Sequence, residues 1–245
     1  FVYMLLTSFR QTYSMELDFS LQGLSLQNFR TIFKNFEFGK YFFNSTVVVV
    51  IACLLNAFVS SMAAYGFEKK RFSGSETLFR VYLATLIVPS QVILIPLFTI
   101  IQKLHLMNTY LVLALPVVNA FGVFLVRQFM TGIPDELIEA ARIDGCREFK
   151  IYYAIILPLM KPVLVALTVF TFITTWNDFV WPLVAITDGN KSTLTLALAS
   201  LQGNYATNYG LVMAGAALVF LPPFILYIFL QKQFVEGIAL SGVKG

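Results

Sequence analysis

Charge is scarce. Only 12% of the 245 residues are Asp, Glu, Lys or Arg, where soluble domains carry roughly a quarter. Half that density cannot cover a water-soluble fold of this size. The scarcity argues against a soluble enzyme, a nucleic-acid binder and a disordered chain. Two cysteines cannot form a disulfide framework; Cys53 lies in an apolar run and Cys146 in a charged loop. The only histidine, His105, falls in a short loop and is expected to be solvated. No cluster has metal-ligand spacing, and there is no Gly-x-Ser-x-Gly elbow. The phosphate-cradling Gly-x-x-x-x-Gly-Lys-Ser/Thr is also missing, so the sequence shows no phosphate-binding loop of this kind. Asn44-Ser45-Thr46 and Asn190-Lys191-Ser192 fit the glycosylation pattern by chance.

What is present is apolar: 58% hydrophobic residues and a mean hydropathy of +0.77. A membrane-spanning helix needs ~20 such residues, each rising ~1.5 Å across a core of ~30 Å. Stretches free of charge predict helices over 44–66, 78–101, 110–127, 159–186 and 208–230. Residues 1–8 are too short to span and lack a cleavage signal, so they read as the end of a first helix whose start lies upstream. The expected fold is an all-α membrane protein of six spans, the first truncated, in one transmembrane domain over 1–245. The Thr-, Asn-, Gln- and Gly-rich stretch Thr193 to Tyr209 reads as a loop.

Orientation follows the Lys/Arg bias. One set of loops holds 11 basic residues, including Lys69-Lys70-Arg71, and the other holds 6. The richer side is expected to be cytoplasmic, with both termini inside and 10–43, 102–109 and 188–207 outside. Prolines 89, 96, 116, 182, 222 and 223 fall in the spans. Each removes a backbone hydrogen bond and bends a helix. They mark either the ordinary frequency of proline in membrane helices or helices curved around a pathway.

One cytoplasmic segment departs from this pattern. Between Arg127 and Pro158 lie five acids, Asp135, Glu136, Glu139, Asp144 and Glu148. Pro134 suits a first helical turn. Asp135 and Glu136 complement the positive end of the helix dipole, and Gly145 can take φ > 0 and stop the helix. A short helix over 134–145 follows, with Leu137, Ala140, Ala141 and Ile143 as its apolar surface and Glu139, Arg142 and Asp144 as its charge. It is too short to be stable alone. A membrane surface is the simplest support, but anionic lipid repels an acidic helix, which favours docking to another protein.

The string Glu139-Ala140-Ala141, three residues, Gly145, nine residues, Ile155, one residue, Leu157-Pro158 resembles the EAA loop of ABC importer permeases. Ile133-Pro134, Trp176-Asn177-Asp178, the tail Phe234…Gly242-Val243-Lys244-Gly245 and the opening Tyr3 to Phe9 resemble the maltose-type carbohydrate permeases, and their smaller subunit in particular. The resemblance covers essentially the whole chain and implies a type I importer permease fold. It implies that 134–145 is a coupling helix seated on an ATPase subunit, through Pro134, Asp135, Leu137, Glu139, Ala140, Ala141, Arg142, Ile143, Asp144 and Gly145. The implied partners are a second homologous permease, two ATPase subunits carrying ATP and Mg, an extracytoplasmic solute-binding protein and membrane lipid. No cofactor or metal is expected in this chain, and no nucleic acid. The implied location is a bacterial or archaeal inner membrane. The loop 188–207, with Gly189, Asn190, Gly203 and Asn204, would contact the binding protein as a flexible probe, and the tail 231–245 would reach along the ATPase pair.

Asp178 is the one acid within a span. It reads either as a pathway residue with Trp176 and Asn177 or as an interfacial one near the outer end of its helix. Trp176 and Trp181 fit an interfacial aromatic belt, with sugar stacking as the alternative. The run Ala214-Gly215-Ala216-Ala217 permits close helix packing, within this subunit or against a second permease. An ion-coupled transporter or channel would need ionisable groups deep in several spans and inverted repeats, and only Asp178 qualifies. An intramembrane enzyme would need facing reactive groups in the spans, and none is found. The substrate is not legible beyond the carbohydrate class that the resemblance implies.

Overall fold

Lipid offers the backbone no hydrogen bonds, so an apolar run must satisfy its own amides as helix. A computed structural model of the chain describes residues 1–14, 19–20, 22–70, 72–204 and 208–242, with backbone alone over 200–204 and 230–242. Its helices are α1 Val2–Ser8, α2 Gln27–Asn35, α3 Phe38–Tyr65, α4 Ser75–Ala84, α5 Ser90–Lys103, α6 Tyr110–Ala114, α7 Ala120–Met130, α8 Glu136–Ile143, α9 Glu148–Ile151, α10 Leu157–Leu159, α11 Lys161–Asn177, α12 Val180–Ala185, α13 Leu194–Asn204 and α14 Tyr209–Gly242. No strand occurs among the described residues. Wider π-helical turns extend α3 over Gly66–Lys70 and join α9 to α10 over Tyr152–Ile156.

Two segments are long and apolar enough to cross a membrane as single helices, Phe38–Lys70 and Tyr209–Phe229. Three more qualify only as bent pairs. The expected helix 78–101 is two helices meeting at 104°. Val88, ahead of Pro89, is extended at ψ 118°, because the proline ring bars the residue before it from the helical region. The expected helix 110–127 bends by 49° after Pro116. There Asn119 starts a new helix by accepting hydrogen bonds from Phe121 N (3.0 Å) and Gly122 N (3.4 Å). The helix expected over 159–186 begins at Lys161, after a 75° bend, and breaks again between Asn177 and Val180. Pro96, Pro222 and Pro223 lie inside continuous helices.

Two other boundaries differ from expectation. The stretch read as a loop from Thr193 contains α13. Its threonine acts as a cap: Thr193 Oγ1 accepts from Leu196 N at 3.4 Å, and Ser45 Oγ accepts from Leu194 N at 2.8 Å. The final span, expected to end near 230, continues as helix to Gly242, through most of the presumed tail; residues 243–245 lie outside the described residues.

The chain divides into two compact units. The first comprises Phe1–Val49, Ile101–Leu113 and Ile173–Phe229; the second Val50–Ile100, Ala114–Phe172 and Leu230–Gly245. In the first, Ile32 of α2 packs with Leu211, Ala214 and Leu218 of α14, flanked by Phe29, Phe36, Phe38 and Leu198. The small-residue run of α14 therefore packs within this subunit. Asn28, fully buried, donates to Ser8 O (2.9 Å) and Arg10 O (2.7 Å). Gly210 lies so close that an added Cβ would fall 1.8 Å from Arg10 O.

In the second unit a core of Ala64, Tyr65, Val126, Met130, Ile133, Ile138, Ala141, Ile151, Tyr152, Ile156, Met160, Val163 and Leu167 gathers α3, α7, α8 and the segment from α9 to α11. Above it Asn56 Nδ2 donates to Thr171 Oγ1, and Ser60 Oγ to Asn56 Oδ1, both at 2.9 Å. Gly122 of α7 admits this pair: a Cβ there would stand 2.5 Å from Ser60 Oγ.

Candidate functional site

The acidic helix α8 runs from Glu136 to Ile143, eight residues, shorter at both ends than the expected 134–145. Asp135 is its N-cap residue, but its carboxylate makes no capping bond. It accepts instead from Lys69 Nζ at 2.6 Å, and the same ammonium donates to Ile133 O at 2.6 Å. At the other end Gly145 has φ +75°. Gly145 N donates to Arg142 O (3.0 Å) and Cys146 N to Ala141 O (2.9 Å), the paired bonds of a Schellman turn. Cys146 joins the core there, and both cysteines are free thiols.

Two faces of α8 have different uses. Ile138 and Ala141 enter the unit's own core. Ala141, expected on the partner face with Ala140, is only 5% exposed, because the helical register carries it inward with Ile138. Leu137, Glu139, Ala140 and Ile143 point outward, and Ile143 is 87% exposed. Pro134, Asp144 and Gly145 are also exposed. A fully exposed isoleucine at the end of a helix anchored on its opposite face leaves apolar surface for something else to cover.

The helix is braced by charge. Glu148 begins α9 and accepts from Arg142 Nε (3.0 Å) and Tyr65 Oη (3.1 Å), and it pairs with Lys70. The Lys70 ammonium, followed by Arg142 and Tyr65, holds the Glu148 carboxyl below the usual carboxylate range. Deeper, Ser61 Oγ and Tyr152 Oη share a hydrogen bond of 2.7 Å. A second network lies along α7. Arg127 donates from Nε to Glu68 (3.0 Å) and from its terminal nitrogen to Glu76 (2.8 Å), with its guanidinium 4.0 Å from the Phe79 ring centroid. Arg80 also reaches Glu76 at 3.2 Å, and Glu76 is held below its ordinary value by Arg127 first. Lys69, Lys70, Glu68 and Ile138 were invisible as site residues. The Lys69-Lys70 pair read only as a topology signal, and a sequence does not reveal which acids face a lysine. Arg71 lies outside the described residues.

The other expected site residues belong to the first unit. Trp176 and Trp181 are buried, 3% and 7% exposed. Each indole N–H reaches a backbone carbonyl at 2.9 Å, Val219 O and Val112 O respectively, so each ring fills a protein site that satisfies its one donor. Asn177 is exposed and donates to Ile173 O of its own helix. Half-buried Asp178 accepts from Trp181 N at 3.4 Å across the helix break.

The expected flexible loop is pinned. Asp188 caps a tight turn over Gly189–Lys191, accepting from Asn190 N at 2.9 Å. Asn44 Nδ2 donates to Asn190 O and Ser192 O, both at 2.9 Å. Lys40 Nζ reaches Asn190 Oδ1 at 2.6 Å. Asn108 Oδ1 accepts from Thr187 N (2.7 Å) and Asp188 N (2.9 Å). Gly203 and Asn204 end α13, where only the backbone is described. His105, at φ +55°, is an exposed turn residue. Among the described residues no group of His, Cys, Asp and Glu could hold a metal ion.

Apolar helices and broken spans define a polytopic α-helical membrane protein, with a braced short helix that exposes apolar surface. The family described as "Binding-protein-dependent transport system inner membrane component" matches residues 56–239. The arabinooligosaccharides transport system permease protein AraQ of Halalkalibacterium halodurans is 38% identical over 99% of this chain and 89% of its own length. The lactose transport system permease protein LacG of Rhizobium radiobacter is 36% identical, over 89% of this chain and 80% of its own. Among solved structures, a bacterial ABC transporter involved in the import of the acidic polysaccharide alginate shares the fold, with a TM-score of 0.81 at 21% identity, covering 94% of this chain and 88% of that one. The chain belongs to the binding-protein-dependent inner membrane component family: it is a permease subunit of an ABC importer.

Proposed function

We propose that this permease carries a carbohydrate, an oligosaccharide first of all, inward across the membrane, and that α8 is the coupling helix through which a separate ATP-hydrolysing subunit drives it. Arabinooligosaccharides and lactose in the names of two relatives support the solute class. The division of α8 into an anchored face, Ile138 and Ala141, and an exposed face, Leu137, Glu139, Ala140 and Ile143, carries the coupling reading. Such a helix passes a rigid displacement to the spans and needs no chemistry in this chain. ATP and its Mg²⁺ belong to the partner.

The assembly we propose holds a second homologous permease, two ATPase subunits and an extracytoplasmic binding protein. The richer Lys/Arg side, α8 and both termini face the cytoplasm. The pinned turn Gly189–Lys191 faces the binding protein, and Asn177 and Asp178 lie beside the pathway. Ile143→Asp and Glu139→Arg test the docking face, with Phe149→Asp as an exposed control outside it. The first two should lower co-purification of the ATPase subunit at least tenfold, while the control leaves it intact. Full assembly and transport in both would defeat the coupling assignment. Ligand binding by the cognate binding protein, screened with arabino- and galacto-oligosaccharides, tests the solute class; binding of amino acids alone would overturn it.

A further inference from the structure

The three charges of the π-helical turn, Glu68-Lys69-Lys70, point to three different elements. Glu68 reaches Arg127 at the end of α7. Lys69 reaches Asp135 and Ile133 O just before α8. Lys70 reaches Glu148 at the start of α9. The turn is the C-terminal end of the 33-residue apolar helix that begins at Phe38.

We infer that Gly66–Lys70 is the joint that passes the displacement of α8 to the spans, with Lys69 as its principal positioning residue. This rests on α8 being the coupling helix. Three observations support it. First, among the described residues α8 meets the unit's core through Ile138 and Ala141, so apolar contact gives it two footholds there. Apolar contacts are non-directional and let a short helix slide or roll. A charge-assisted bond fixes both distance and angle.

Second, the Lys69 side chain is only 2% exposed and its ammonium holds both a carboxylate and a carbonyl. A buried cation with one partner removed is left in a poor solvent, so the bond resists breaking when α8 moves. The Lys70 and Arg142 contacts to Glu148 are more exposed and can exchange with water. They steady the far end of α8 without fixing it.

Third, the backbone here is a π turn. Such turns are uncommon, and they recur where a helix must redirect side chains or flex at a functional point. The wider ring fans three successive residues toward three partners. Arg127, held by Glu68 and Glu76 and laid over Phe79, links the same turn to α4 and α7. Movement entering through Lys69 thus passes along the backbone of the turn to Glu68, and from its ion pair to α4 and α7.

The test uses the assembled transporter in lipid vesicles, with spin labels at Leu54→Cys on α3 and Val92→Cys on α5 in a Cys53→Ser/Cys146→Ser background. The probe is Mg²⁺ with a non-hydrolysable ATP analogue. The native joint should show a nucleotide-dependent change in label distance. Lys69→Met leaves the exposed face of α8 untouched, so it should keep its ATPase subunits and reduce the shifted population at least fivefold. The exchange Lys69→Asp/Asp135→Lys should recover part of it. A Lys69→Met complex with the full native shift would overturn the inference. If Lys69→Met does not accumulate, Asp135→Asn breaks the same bond from its exposed end, with the same two outcomes. A purely structural lysine would lower assembly and shift together; the joint lowers the shift per assembled complex. Ile143→Asp separates the two levels. If it sheds the ATPase subunits while Lys69→Met moves normally, only the joint is wrong. If it and Glu139→Arg both retain them, the coupling reading itself has failed.

Discussion

The two units of this permease are held by different chemistry. In the first, apart from the Lys40–Glu37 pair, neutral groups grip backbone. Asn28 holds Ser8 O and Arg10 O, Asn44 holds Asn190 O and Ser192 O, Asn108 holds Thr187 N and Asp188 N, and both tryptophans donate to carbonyls. In the second, beside the neutral Asn56–Thr171, Ser60–Asn56 and Ser61–Tyr152 bonds, charged side chains grip each other, through Lys69–Asp135, Lys70–Glu148, Arg142–Glu148, Arg127–Glu68 and Arg127–Glu76. A carboxamide clasp fixes one loop conformation and is indifferent to salt and to pH near neutrality. Ion pairs between side chains can lengthen, exchange partners and re-form. The contrast predicts that added salt weakens the second unit's contacts more than the first's.

The sharpest way to break the comparison is through its two crowded glycines. Gly210→Ala sets a Cβ 1.8 Å from a backbone oxygen, which cannot rotate away. It should cost about 3 kcal/mol or more, read as a large fall in the unfolding temperature of the detergent-solubilised protein. Gly122→Ala meets the Ser60 hydroxyl at 2.5 Å and Asn56 Oδ1 at 2.8 Å, both ends of side chains that can turn. A loss of about 1–3 kcal/mol is expected, and Ser60→Ala added to it should recover part. Equal losses in the two single variants would remove the distinction between a rigid and a yielding contact.

Asn44→Ala comes next. It leaves two loop carbonyls to water and should cost about 1–2 kcal/mol. Amide exchange should rise across 187–193 and stay unchanged around α8. Exchange spreading to α8 would mean that the units do not respond separately.

The smallest effect is that of acid on Glu148. Its folded pKa is lowered, so its contribution is present above the unfolded carboxylate value of about 4.3 and is lost as pH falls through the folded value. The side chain is 46% exposed, which limits the contribution to about 0–1 kcal/mol. Thermal unfolding followed from pH 7 to pH 3 should therefore fall slightly less in Glu148→Gln than in the native protein. An unchanged acid limb would show that the brace contributes nothing to stability.

Much of this was legible from residues alone. Long charge-free runs located the apolar segments, since no other pattern satisfies a backbone in lipid. The spacing from Glu139 to Pro158 pointed to the family, and Gly145 has the positive φ that its place after a helix called for. The misreadings share a cause. Thr193 reads as polar loop but acts as a cap. Trp176 and Trp181 each have a carbonyl partner that residue type does not reveal. Asn190 reads as flexible, yet Asn44, 146 positions away in sequence, holds it. In each case the deciding partner is remote or depends on a local geometry that residue type does not specify.

The sequence alone determined composition-driven properties: residence in a membrane, helices as the only secondary structure such runs permit there, and a short acidic helix that cannot stand by itself. These follow from solvent transfer and backbone satisfaction, which depend on residue type over a window. Tertiary structure decided the pairings. Lysine 69 is buried against Asp135, Ala141 turns inward while Ala140 turns out, and a run of apolar residues folds into two helices at Val88 and Pro89. Those outcomes depend on directional bonds and on packing between distant segments, and their energies exist only once the partners have met.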